Sequence, residues 1–130
     1  FLLKIKLHLM EEEHKWYSLR VISGKERKIK ERIDMEVQRN GWKDFITQVL
    51  VPTKKVYKIR NGKKVISERN ILPGYILVEA DPERLAGEIA QTIAGIPNVI
   101  NFLGGNAPIP MRQVEANRLL GKVDESQDAG

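Results

Sequence analysis

The chain has no cysteine among its 130 residues, which excludes disulfides, thiolate metal sites and thiol nucleophiles. Histidine is almost as scarce. His8 and His14, both near the N-terminus, leave too little for a histidine metal site or a catalytic triad. Long apolar runs are missing as well: a membrane-spanning helix takes about 20 predominantly apolar residues, and no segment approaches that. The opening FLLKIKLHLM is broken by Lys4 and Lys6, and no small-residue cleavage site follows it, so it reads neither as a span nor as a signal peptide. Met10 followed by EEEHKWY reads as a natural start, with residues 1–9 as a vector-derived or upstream extension. The serine-elbow, phosphate-loop and dinucleotide signatures are absent. The run Glu11-Glu12-Glu13 falls in a tail and reads as solvated, because acid–base pairs need fixed geometry. These gaps point away from catalysis, metals, cofactors and membranes, and the lack of cysteine fits a reducing cytoplasm.

What is present is an ordinary globular composition with an uneven charge. The hydrophobic share is 42%, and the length suits one domain with one core. Residues 15–70 carry 16 Lys and Arg against 6 Asp and Glu, whereas residues 71–130 carry 4 against 8. A basic half joined to an acidic half suggests an oriented partner surface, one that could include nucleic acid.

Periodicity then orders the elements. Residues 15–22 alternate, with Tyr17, Leu19 and Val21 on one side and Trp16, Ser18 and Arg20 on the other. Ser23 followed by Glu26 predicts a capping box and a helix with Ile29, Ile33 and Val37 as its buried stripe. Asn40-Gly41 ends it. Phe45 to Val51 reads as a strand stopped by Pro52. Asn61-Gly62 between alternating runs predicts a hairpin with a basic, solvated tip. Residues 76–80 read as a strand apolar on both faces, which demands cover on both sides. Asp81-Pro82-Glu83 predicts a second helix, buried through Leu85, Ile89 and Ile93. Residues 98–103 form a last strand, 111–120 a short helix packed through Val114, Ala116 and Leu119, and 121–130 a disordered linker. The expected fold class is α+β: a two-layer sandwich with a mainly antiparallel sheet flanked by about three helices.

Such a sheet leaves one face to be explained. If the sides coincide, Trp16, Tyr75, Leu77 and Phe102 share an outer face near Leu72, and an exposed aromatic patch marks a binding site. Cover by the third helix or the hairpin would make the same residues core, and pattern alone leaves both readings open. The aromatics are scattered one per strand, without the paired RNP pattern of an RNA-stacking sheet, which favours a protein helix as ligand. Ser23, Lys25, Lys28 and Arg32 form a basic flank suited to phosphate, though solvated helix faces look the same.

Read together, several motifs carry a resemblance over residues 15–120. They are Lys15-Trp16-Tyr17, Ser23-Gly24, Val51-Pro52-Thr53, the Arg60-Asn61-Gly62-Lys63-Lys64 turn, Pro73-Gly74-Tyr75-Ile76-Leu77-Val78, Gly95-Ile96-Pro97-Asn98-Val99 and Pro108-Ile109-Pro110. In order and spacing the chain resembles the N-terminal domain of the NusG family of transcription elongation factors, over a span read as residues 10–120. The resemblance implies a non-enzymatic, monomeric module that binds the clamp helices of the largest RNA polymerase subunit and modulates pausing, termination or antitermination. Carried over to this chain, it implies polymerase contacts at Trp16, Arg20, Leu72, Tyr75, Leu77 and Phe102. It places Ser23, Lys25, Lys28 and Arg32 near the non-template DNA strand, and Ala86, Gly87 and Glu88 toward the opposite jaw of the cleft. Leu72 stands where many members have an aromatic, and Arg20 puts a charge at the rim. The family's KOW barrel, which binds Rho or a ribosomal protein, is expected to lie beyond 121–130. A specialised paralogue reading non-template DNA and a stand-alone RNA-binding module are the competing readings.

Overall fold

Alternation in Lys15–Val21 produces strand β1, whose inward residues Tyr17, Leu19 and Val21 are buried. In the computed structural model the described residues are 2–3 and 14–128, those from 122 onward as backbone only. The Glu11-Glu12-Glu13 run and most of the 1–9 extension lie outside them. After β1 come α1 (Glu26–Asn40), β2 (Ile46–Leu50), β3 (Thr53–Arg60), β4 (Lys63–Asn70), β5 (Tyr75–Ala80), α2 (Gly87–Ala94), β6 (Val99–Phe102) and α3 (Gln113–Asp128). The architecture is the expected α+β arrangement: a four-stranded sheet in the order β2-β5-β1-β6, antiparallel at every pairing, with the helices α1, α2 and α3.

The hairpin β3–β4 stands apart as its own two-stranded sheet. Asn61 at φ 53° and Gly62 at φ 75° both take the left-handed conformation that a tight I′ turn requires. Helix α1 buries Ile29, Ile33 and Val37 as its spacing predicts, and Gly41 closes it in the left-handed conformation. Its start differs from expectation. The N-cap is Lys25 with no side-chain cap, so the Ser23 capping box does not form. Glu26 instead turns inward and is only 5% exposed. Helix α2 also begins later than the sequence predicts. Asp81 accepts the Glu83 N–H in a local turn at 3.0 Å, and regular helix starts only at Gly87.

Two apolar clusters occupy the two sides of the sheet. The larger joins the inward residues of β1, β5 and β2 to Ile29, Ile33 and Val37 of α1 and to Leu85, Ala90 and Ile93 around α2. The smaller joins Trp16 and Leu77 to Ala116 of α3, with Leu50, Met111, Leu119 and Leu120 packed around them. Strand β5 lies between β2 and β1 and is covered from both sides, which is why its sequence is apolar on both. Of the residues expected to pack α3, Val114 is exposed, at 60%. The α3 backbone continues helical to Asp128, across residues read as irregular.

Candidate functional site

Register decides which side chains share the outer face, because residues directly opposite on paired strands point the same way. Trp16 lies opposite Glu79, Ser18 opposite Leu77, and Arg20 opposite both Tyr75 and Asn101. Trp16, Arg20, Tyr75 and Leu77 therefore do share one face. Phe102 does not. It lies opposite Leu19, belongs to the main core and is 1% exposed, so its expected place on the outer face is corrected. Alternation turns its neighbours Asn101 and Leu103 outward instead, and Leu103 is exposed and donates its N–H to the Ser18 carbonyl at 3.1 Å. The sequence signal for Leu103 was its place beside Phe102, but the choice between them needed the register.

Helix α3 divides this face. Trp16 at 7% and Leu77 at 1% exposure are sealed beneath it as core, so neither offers surface to a partner in this conformation. At the other end Arg20 and Asn101 are exposed, and Ser18, Leu72 and Tyr75 are half-buried. The open surface is thus a row running Tyr75, Arg20, Asn101 across three strands, edged by Leu72 and Leu103.

The turn that carries Leu72 and Tyr75 is tied at several points. Asn70 accepts the Leu72 N–H at 2.9 Å through its side-chain oxygen, and Tyr75 N–H reaches the Leu72 carbonyl at 3.2 Å. Gly74 accepts the Val21 N–H at 2.9 Å and donates to a Glu26 oxygen at 3.1 Å. Its φ of +85° suits glycine, and a Cβ there would press to 3.4 Å from the Val21 carbonyl. The Glu26 carboxylate also accepts from Gly24 N–H at 2.6 Å and from the Asn70 amide at 2.7 Å. Burial alone pushes this carboxyl pKa upward. The backbone N–H groups of Glu26, Gly74 and Gly24 together outweigh burial and hold it below its ordinary value.

The basic flank is a separate surface. Ser23, Lys25, Lys28 and Arg32 are all exposed. Lys25, Lys28 and Arg32 line a groove of about 380 Å³ between α1 and the Ile96-Pro97-Asn98 loop. Arg32 shares Glu36 with Arg39, each at 3.6 Å, whereas Lys25 and Lys28 form no ion pair among the described residues. Ala86, Gly87 and Glu88 lie together, exposed, at the start of α2. Among the described residues no group of three potential metal ligands occurs, and no helix is long and apolar enough to cross a membrane.

Comparison with known proteins gives concordant results. Residues 14–120 match the family model "Transcription termination factor nusG". The chain is 38% identical over 111 residues to the Neisseria meningitidis serogroup B "Transcription termination/antitermination protein NusG", covering 84% of this chain and 61% of that protein. It is 31% identical over 113 residues to the protein of the same name from Chlamydia trachomatis serovar D, covering 87% of this chain and 60% of the relative. A solved structure described as "Domain interaction in Thermotoga maritima NusG" superposes with a TM-score of 0.62 at 26% identity, over 85% of this chain and 57% of that one. The chain thus spans about 60% of the length of the curated relatives it matches.

Proposed function

This chain belongs to the NusG family, and on that premise we propose that residues 10–120 are the polymerase-docking module of a transcription elongation factor. Its ligand is the pair of clamp helices of the largest RNA polymerase subunit. The observation that carries this reading is the open end of the outer sheet face. There a half-buried Tyr75 lies opposite an exposed Arg20, with Leu72 and Leu103 at the edge. A partly exposed aromatic ringed by aliphatic and polar groups is the composition of a protein-binding hot spot. The tethered turn supports it, since a preorganised surface loses less freedom on binding.

The role follows from linkage. A bound module shifts a conformational equilibrium only by its differential affinity for the two states. The module therefore binds the closed clamp more tightly than the open one and so favours the elongating polymerase. In that pose the groove along α1, with Lys25, Lys28 and Arg32, lies beside the non-template DNA strand, and Ala86, Gly87 and Glu88 face the opposite jaw. Generic lysine and arginine suit backbone contact rather than base reading, which favours a general factor over a paralogue confined to selected operons.

The test is binding of the chain to a recombinant clamp-helix fragment, with Tyr75→Ala as the diagnostic variant. Saturable binding that Tyr75→Ala weakens by about tenfold or more supports docking. Failure to bind the fragment, alongside tight binding to RNA, would replace this reading with an RNA-binding module.

A further inference from the structure

We propose that one face of the β3–β4 hairpin is a duplex DNA-binding surface that grips the phosphate backbone without help from polymerase. The inference is independent of clamp docking and concerns a different element.

The hairpin carries seven Lys and Arg, and its register sorts them unequally. Lys54 lies opposite Arg69, and Arg60 opposite Lys63; with Lys58, which alternates in step with Lys54 and Arg60, these five share one face. The other residues of that face are Val56, Val65 and Ser67, so it holds no carboxylate. The opposite face holds Lys55 and Lys64 together with Glu68, which lies across from Lys55 and pairs with Arg27 at 2.6 Å. All five cations of the first face are exposed, and among the described residues none forms an ion pair. Helix α1 differs: Lys30, Arg32 and Arg39 are paired with acids of the same helix and Arg27 with Glu68, which leaves Lys28 as its one cation without an ion pair among the described residues. Lysines on free strands also guard against edge-to-edge association, but that purpose requires no bias to one face.

Geometry fits a polyanion of regular pitch. Residues two apart on a strand are about 6.8 Å apart, and eight residues extend about 26 Å. Duplex DNA presents one phosphate per strand every 3.4 Å or so of axis, and its major groove admits a two-stranded ribbon. The cationic face carries no aromatic ring. Tyr57 lies on the other face, where the Lys64 ammonium sits 4.7 Å above its ring. Single-strand binders stack bases on aromatic platforms, so an aromatic-free lattice of cations suits the duplex.

The experiment follows fluorescence anisotropy of the chain with a labelled random-sequence duplex of about 20 bp from 50 to 200 mM salt. Five phosphate contacts at a slope of about −0.9 each predict affinity falling about 500-fold across that range. The triple variant Lys58→Ala/Arg60→Ala/Lys63→Ala keeps two contacts and is expected to fall only about 12-fold, with its thermal unfolding unchanged. The matched α1 variant Arg27→Ala/Lys30→Ala/Arg39→Ala, which removes three cations already paired with acids, is expected to retain the steep slope. The proposal is overturned by the absence of duplex binding at 50 mM salt. It is equally overturned by a slope that the hairpin variant leaves intact or that the α1 variant flattens as much, or by tighter binding of single-stranded RNA of the same length.

Discussion

Trp16 and Tyr75 occupy the same face of the same sheet, Trp16 one pairing step from one end of the β1–β5 ladder and Tyr75 in the last pair at the other, yet they have opposite fates. Trp16 lies under α3 with Leu77 and Ala116 and is lost to solvent. Tyr75 lies beyond the end of that cover, opposite an exposed Arg20. Nothing in the strands themselves separates them, since both are aromatics at outward positions. The difference is made by a helix more than thirty residues downstream of Tyr75, which covers half a face and leaves half. An aromatic residue on an outer sheet face is therefore a candidate anchor only where the topology leaves it uncovered.

The largest expected effects fall at the covered or inward positions. Phe102→Ala and Trp16→Ala should each destabilise the fold by about 3–5 kcal/mol, because each removes a large ring from a packed site. Thermal unfolding should show Tm lowered by about 10 °C or more. Clamp-fragment binding, measured well below the new Tm, should change far less than stability. A Phe102→Ala variant of native Tm and abolished binding would place Phe102 at the partner surface and break the comparison.

Much of this was legible from local pattern. The inward stripe of β1, the Ile29, Ile33, Val37 stripe of α1 and the Asn61-Gly62 turn each depend on residues within a few positions, and each is observed. Phe102 faces inward because its side is set by pairing with β1, where it lies opposite the inward Leu19, and no local pattern in the sequence fixes that register. Cover over Trp16 by the third helix is one of the two readings that pattern alone leaves open. It rests on Ala116 and Leu119, as the spacing predicts, and on Leu120, while Val114 faces solvent. Glu26 read as the far half of a local cap, but its partners Asn70 and Gly74 lie 44 and 48 residues away.

That long-range carboxylate gives the next effect in size. Glu26→Ala removes the acceptor of the part-buried bonds from Gly74 N–H, Gly24 N–H and the Asn70 amide and should cost about 1–3 kcal/mol. It should also loosen the turn bearing Leu72 and Tyr75. Glu26→Gln keeps the shape and isolates the charge. Because the folded-state pKa is held below the ordinary value, the ionised form stabilises the fold at neutral pH. That contribution is lost as pH falls through the acid range below a normal glutamate pKa. Urea unfolding from neutral pH down to that range should show a steeper loss for the parent chain than for Glu26→Gln. Parallel curves would mean that the carboxylate contributes no pH-dependent stability.

At the open end, Tyr75→Ala should cost about 1–3 kcal/mol of binding to the clamp fragment. Its stability should fall by less than that of Trp16→Ala, since Tyr75 is already half in water. This pair of variants is the sharpest form of the comparison: equal truncations on one face, with the larger stability loss at one and the larger affinity loss at the other.

The smallest effect is expected at Arg27, and it separates the root of the hairpin from its shaft. At the root, Asn70 is bound by the buried Glu26, while α3 packs along β3. Further out, Glu68 is held by Arg27 in a pair whose side chains are 71% and 46% exposed. Exposed pairs contribute about 0–1 kcal/mol and weaken with salt. Arg27→Ala should therefore shift Tm by only a few degrees at low salt and less at high salt, and it should leave the hairpin's DNA salt slope unaltered because neither partner lies on the cationic face. If Arg27→Ala instead flattened that slope, the orientation of the hairpin would depend on its exposed shaft contact, and the buried root would be too weak a hinge to hold the cationic face in place.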